Sequence, residues 1–279
     1  MPQRDSGRAE IPEDMKRSVR QRCGFGCVIC GNPIGYHYDH MVDYAEDPTH
    51  LEDNLTLLCP NHHGDKTAGR LSRSQVQAAN REPFNTRSLN TSRQILHTSD
   101  VTSLVLGSNS AQLGNGGAAV SALTIDEVGV LQVRRAGDRF ELDLDLRARS
   151  GEKILTIQAN ELVHSTGVWD SSWQGNTMRL RSAPRKVLLR LALKLPKEIV
   201  VEAGRFSANG VEVLARPNSV RLSDGSNIAS GWSSTCVDAL FALGDTTAKS
   251  ASVRIADPPR TAFDPVDIDD WFKGINGET

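Results

Sequence analysis

The sequence predicts an α+β chain: a small N-terminal domain clamped by zinc, followed by a β-rich domain of sandwich, prism or solenoid-like form. Three observations lead there. Cysteine and histidine side chains with zinc-ligand spacing fall at Cys27, Cys30, Cys59 and His62. Apolar and charged residues alternate at period two in residues 140–147 and again in 189–195, as strands with one wet face do. Between the two, residues 85–103 are rich in Ser, Thr and Asn, the composition of a linker. The expected domains are 1–94, 95–260 and an acidic tail over 261–279, and 279 residues give room for two folded units.

Residues 11–23 read as an amphipathic helix, with Met15 and Val19 apolar and Lys16, Arg17, Arg20 and Arg22 on a solvated face. Cys27-Val28-Ile29-Cys30 followed by Gly31-Asn32-Pro33 reads as a zinc turn, and Cys59-Pro60-Asn61-His62 supplies the other two ligands. So short a segment buries little apolar surface, so coordination supplies much of its folding free energy. Cys23 is an alternative ligand, although the spacing of Cys27 and Cys30 fits better. Residues 36–42 read as a first strand carrying Asp39 and His40, 46–53 as a loop, and 55–58 as a short second strand. Pro60 suits the first turn of a helix, which puts His62 and His63 at its start with side chains about 100° apart. One can face the cysteines and its neighbour the opposite cleft. Spacing favours His62 for zinc and His63 for a second metal, and the exchanged assignment stays open. Residues 66–70 continue or end that helix, and 71–76 open another that Pro83-Phe84-Asn85 stops.

In the second domain, residues 128–134, 140–147, 153–159 and 187–195 read as strands, separated by Ala136-Gly137-Asp138 and Ser150-Gly151-Glu152. Strands that bury one face and wet the other favour a layered β fold over a parallel α/β sheet. Turns at Asn209-Gly210 and Asp224-Gly225 also allow a β-helix, with no regular repeat to select it. Gly114-Asn115-Gly116-Gly117 lacks the Lys-Ser/Thr of a phosphate-binding loop and reads as a turn. His97 and His164 read as surface or satisfied polar residues, Trp169, Trp173 and Trp232 as core packing, and Cys236 as a small buried apolar residue. Residues 264–272 place acidic side chains around apolar anchors, suited to a partner or to a frayed end.

A net charge of −2 excludes a uniformly basic nucleic-acid coat, so affinity for phosphates must come from local groups such as Lys66, Arg70 and Arg73. Five cysteines are too few for a disulfide scaffold. No stretch has the apolar core of a signal peptide or approaches the roughly 20 apolar residues of a membrane span. A cytoplasmic protein with no membrane partner is expected.

The order Asp39-His40, then Asn54, then Cys59 to His63 resembles the HNH endonuclease family, over about residues 17–80. His40 matches the first histidine of that signature, Asn54 the asparagine and His63 the last histidine, with residues 54–59 as the apolar approach to the knuckle. The chain departs from many members, which close the zinc site with Cys-x-x-Cys before the histidine, whereas Cys59-x-x-His62 precedes His63 here. Imidazole is an accepted zinc ligand, so the site survives the change. The resemblance implies a ββα-metal fold, His40 as general base, and Asp39 with His63 holding Mg²⁺, Mn²⁺ or another divalent cation. It implies that Asn54 orients His40 or braces the connecting loop. The expected activity is hydrolysis of double-stranded DNA, with the β-rich domain binding target DNA, a regulatory ligand, another copy of the chain or a partner protein. Antiviral defence in prokaryotes is a setting by analogy. The competing reading is a zinc-stabilised binding or scaffold protein without cleavage. An RNA target is disfavoured, since no basic stripe interleaved with aromatic residues is visible.

Overall fold

The computed structural model describes residues 10–98, 101–113, 119–137, 139–229, 231, 233–235, 239–244 and 250–260. The expected turn at 114–117, Asp138, Trp232, Cys236 and the acidic tail over 261–279 lie outside the described residues. The chain divides into two compact units, Met1–Ser92 and Arg93–Thr279, and strands dominate the second.

In the first unit, helix α1 spans Glu13–Arg22, strand β1 His37–His40, strand β2 Leu55–Leu58, helix α2 Pro60–Thr67 and helix α3 Arg73–Arg81. Glu13 and Asp14 in the first turn of α1 and Arg20 and Arg22 in its last suit the helix dipole. Strands β1 and β2 pair antiparallel, with His37 opposite Leu58 and His40 opposite Leu55. All of β2 is buried, because Leu55, Leu57 and Leu58 share one core with Val19, Cys23, Val28 and Val76. Ser72 and Gln75 form a reciprocal capping box that starts α3.

The basic face expected on α1 is partly consumed inside the unit. Arg20 is 2 % exposed and donates to Tyr38 Oη at 2.7 Å and Glu13 Oε1 at 2.8 Å. Arg22 donates to the carbonyls of Glu52 and Leu55. Cys23 belongs to the apolar core, with its sulfur against Thr56 and Asn80, so it does not serve as the alternative ligand. Asn85, read as a helix stop, is a buried clamp: Nδ2 donates to the Gly24 and Gly31 carbonyls at 2.9 Å each, and Oδ1 accepts from Ser92 N at 3.0 Å. A Cβ on Gly31, whose φ is +73°, would lie 2.1 Å from Asn85 Oδ1, so only glycine allows this closure.

The second unit contains two large sheets. One runs in the order Ala251–Ile255, Ala239–Leu243, Ala119–Ile125, Val128–Ala136, Arg139–Arg147, Lys153–Gln158, Glu161–His164 and Gln94–Ile95. Its centre is an antiparallel meander, and Ala239–Leu243 joins Ala119–Ile125 in parallel. The other sheet runs from Asp170–Gln174 through Thr177–Ala183, Lys186–Lys194, Glu198–Ala208, Val211–Arg216 and Ser219–Leu222 to Asn227–Ala229. Ser103–Leu106 adds to it in parallel beside Glu198–Ala208. Most successive strands among the described residues pair as antiparallel hairpins, although Ala239–Leu243 and Ala251–Ile255 pair in parallel, so the chain does not coil as a β-helix, which stacks parallel strands.

Within Arg139–Arg147, Leu142, Leu144 and Leu146 are buried and alternate with half-buried Glu141, Asp143 and Asp145, as the period-two pattern predicts. Lys186–Lys194 departs from its expected wet face, because Leu188 and Ala192 are also buried and Arg190 pairs with Glu202 at 2.7 Å. That strand lies inside its sheet, between Thr177–Ala183 and Glu198–Ala208. His97 is exposed and His164 buried. Trp169 and Trp173 are half-buried at an edge of the second sheet, not packed into a core.

Candidate functional site

Two sites meet along α2. At its N-terminus, Cys27, Cys30, Cys59 and His62 bring their ligand atoms within 4.8 Å of one another. Cys27 Sγ and Cys59 Sγ lie 3.4 and 3.2 Å from His62 Nδ1, and Cys30 Sγ lies 3.8 Å from Cys59 Sγ. Tetrahedral zinc with Zn–S near 2.3 Å and Zn–N near 2.0–2.1 Å requires S···S separations of about 3.8 Å and S···N of about 3.5 Å. The donor set therefore fits a tetrahedral ion such as zinc. The neighbouring Cys30 side chain, with backbone amides of Cys59, Cys30 and Ile29, lowers the pKa of the Cys27 thiol well below its ordinary range, while Cys27 and burial push that of Cys30 up. The turn is fixed to β2 by Val28 N donating to Leu57 O at 3.0 Å and closed by Gly31 N donating to Cys27 O at 2.7 Å.

Cys59 caps α2 and Pro60 opens it. One residue beyond His62 of the donor cluster, His63 turns toward β1, and its Nε2 lies 3.5 Å from Asp39 Oδ1. A cation about 2.1 Å from each atom spans that gap at an ordinary ligand angle. Asp39 is 7 % exposed, and no aligned hydrogen bond reaches its Oδ2, although Lys66 Nζ forms an ion pair with it at 2.9 Å. The ammonium is an electrostatic partner there, and the oxygen retains its acceptor capacity. The His37 ring lies against His63, with centroids 5.0 Å apart.

His40, 6 % exposed at the end of β1, lines the same cleft as Asp39 and His63. The cleft encloses about 600 Å³ and is walled further by Tyr44, Lys66 and Arg73. Asn54 does not touch the cleft wall. Its Oδ1 accepts from Val42 N at 2.7 Å, its Nδ2 donates to Val42 O at 3.0 Å, and its carbonyl accepts from Met41 N at 2.8 Å. These bonds tie Asn54 to the backbone at the exit of β1, directly after His40.

The cations expected to meet phosphates are already engaged. Lys66 is largely buried, donating to the His40 carbonyl at 2.6 Å and to Asp43 at 3.1 Å, and it holds the Asp43 carboxyl below its ordinary range. Arg73 pairs with Glu46 at 2.5 Å and with Asp43, and Arg70 with Asp65 at 2.8 Å. The sequence reading missed His50, whose Nδ1 lies 3.1 Å from His40 Nε2, and Tyr44, whose ring contacts both imidazoles. No spacing rule points to them, because they arrive on a loop whose path depends on its anchors. No helix among the described residues is long and apolar enough to cross a membrane.

Residues 27–69 match the family model described as HNH endonuclease. No curated protein and no solved structure matches the chain.

Proposed function

Starting from the HNH match over residues 27–69, we propose that this chain is a metal-dependent endonuclease that hydrolyses phosphodiester bonds of double-stranded DNA. The observation that carries the reading is the convergence of Asp39, His40 and His63 on one cleft beside a four-ligand zinc cluster. His40 acts as general base. It takes a proton from water as the water oxygen bonds to phosphorus, and the departing oxygen leaves with the electron pair of the broken P–O bond. Asp39 and His63 would hold a divalent cation, which supplies Lewis-acid stabilisation of the developing charge when bound. One carboxylate with one imidazole suits Mn²⁺ or a later first-row ion better than Mg²⁺, which prefers all-oxygen surroundings. Asn54 keeps the backbone after His40 in place, and Lys66 holds the His40 carbonyl from the opposite side. The β-rich unit would recognise target DNA, a regulatory ligand or another protein chain, and a role in prokaryotic defence is the analogous setting.

A scaffold role without cleavage is the second reading, favoured by one observation: Lys66 already neutralises Asp39, so the cleft is electrostatically satisfied without a cation. Nicking of supercoiled plasmid with Mn²⁺ or Mg²⁺ separates the two. His40→Ala should abolish cutting while zinc content and folding persist. Unchanged cleavage in that variant would defeat the assigned base, and an inert wild type would favour the scaffold.

A further inference from the structure

We infer that His50 is a positioning residue for His40, fixing which ring nitrogen of the base carries its lone pair; this rests on the nuclease reading for the role of His40. His40 Nε2 and His50 Nδ1 lie 3.1 Å apart, with ring centroids at 5.2 Å. The Tyr44 ring meets His40 edge-on at 5.3 Å and lies tilted against His50 at 5.4 Å, so three rings pack as one cluster beside the cleft.

The loop that delivers Tyr44 and His50 is anchored at both ends. Asp43 is held by Lys66 at 3.1 Å, Glu46 by Arg73 at 2.5 Å, Asp47 by Thr49, and Glu52 by Ser18. Asn54 then ties the end of the loop back to Val42, beside its start. A loop pinned this often delivers an imidazole to a fixed place.

A neutral imidazole offers one N–H and one lone pair, and a bond at one nitrogen decides the role of the other. When His40 donates Nε2–H to His50 Nδ1, the lone pair of His40 sits on Nδ1. That nitrogen takes the proton from water: the water O–H bond breaks, the Nδ1–H bond forms, and the oxygen bonds to phosphorus as the leaving oxygen departs with its electron pair. The resulting imidazolium keeps its Nε2–H on His50, and a bond from a charged donor is the stronger kind. In the reverse polarity, His40 would carry its proton on Nδ1 and could not accept another there.

The test compares His50→Ala, His50→Phe and His50→Asn in the full chain with zinc bound. In plasmid nicking, the Ala and Phe variants should lose about 10- to 100-fold in kcat with KM changed less than about threefold. His50→Asn, whose Oδ1 stands where Nδ1 stood, should recover most of that loss. A second readout needs no cleavage: ¹⁵N spectra of the His40 ring at about pH 8.5, above the imidazole range. Wild type and His50→Asn should show the Nε2–H tautomer, and His50→Phe a mixture. Full activity in His50→Phe, no recovery in His50→Asn, or a His40 tautomer indifferent to residue 50 would each overturn the inference. A chain that never cuts, but whose His40 tautomer follows residue 50, sinks the nuclease reading and leaves the positioning intact.

Discussion

Asn85 shows how much a single side chain can carry in so small a unit. Fully buried, it satisfies two carbonyls and one amide that draw together the end of α1, the zinc turn and the segment after α3. Asn85→Ala should therefore cost about 2–4 kcal/mol, since two buried carbonyls lose their donor; denaturant melts with zinc saturating check this. In the second unit, His164 is buried, its Nδ1 at 2.9 Å from the Ser165 carbonyl and its Nε2 at 3.0 Å from Ser171 Oγ, and desolvation lowers it to about 4. The unfolded chain protonates this histidine near 6.5 while the folded chain keeps it neutral, so stability is complete above about pH 6.5 and declines as pH falls toward 4. The loss should total about 3 kcal/mol, and His164→Gln should flatten that slope in melts recorded across the window. The grouping of Asp39, His40 and His63 along one cleft, and of Cys27, Cys30, Cys59 and His62 in one donor cluster, is legible from the Cys-x-x-Cys, Asp-His and Cys-x-x-His-His patterns. His50, Tyr44 and the internal pairing of Lys66 are not, because no spacing rule ties them to His40 and they meet it only through the path that the loop after β1 takes.

At the level of elements, β2 was legible to the residue, since four consecutive residues between Asn54 and Cys59 have no polar alternative to burial except Thr56. The start of α2 was equally plain from Pro60. Lys186–Lys194 departs from the period-two expectation on its second face, where half-buried Arg190 is flanked by buried Leu188 and Ala192 and only the strand ends, Lys186 and Lys194, are wet. Zinc bound by the four donors would act on elements rather than on single residues. It would join the turn at Cys27 to the N-terminus of α2, with the β1–β2 hairpin between those attachments. Chelation should therefore remove the order of α2 and the hairpin together: circular dichroism should show loss of helix, and the Asp39–His63 site should fail in the same titration. Retained helix and retained cutting after verified removal of zinc would contradict this.

For the whole molecule, the division into two units separates two ways of holding a chain together. The first unit has a modest core and a cluster of Cys and His donors that fits a metal; the second depends on extended sheets with long runs of buried Val, Leu and Ile. Strand order is not legible in the sequence, because register and parallel additions are decided by residues distant in sequence. Ala239 aligns with Ser121, and Glu198 with Ser103. Such pairings carry a timetable. Everything the first unit needs has been translated by residue 92, whereas the sheet containing Ala119–Ile125 waits for Ala251–Ile255 to leave the ribosome, on the order of ten seconds later at ordinary synthesis rates. During that interval a newborn chain holds a finished first unit and an unfinished second one, and a message cut short would leave it in that condition.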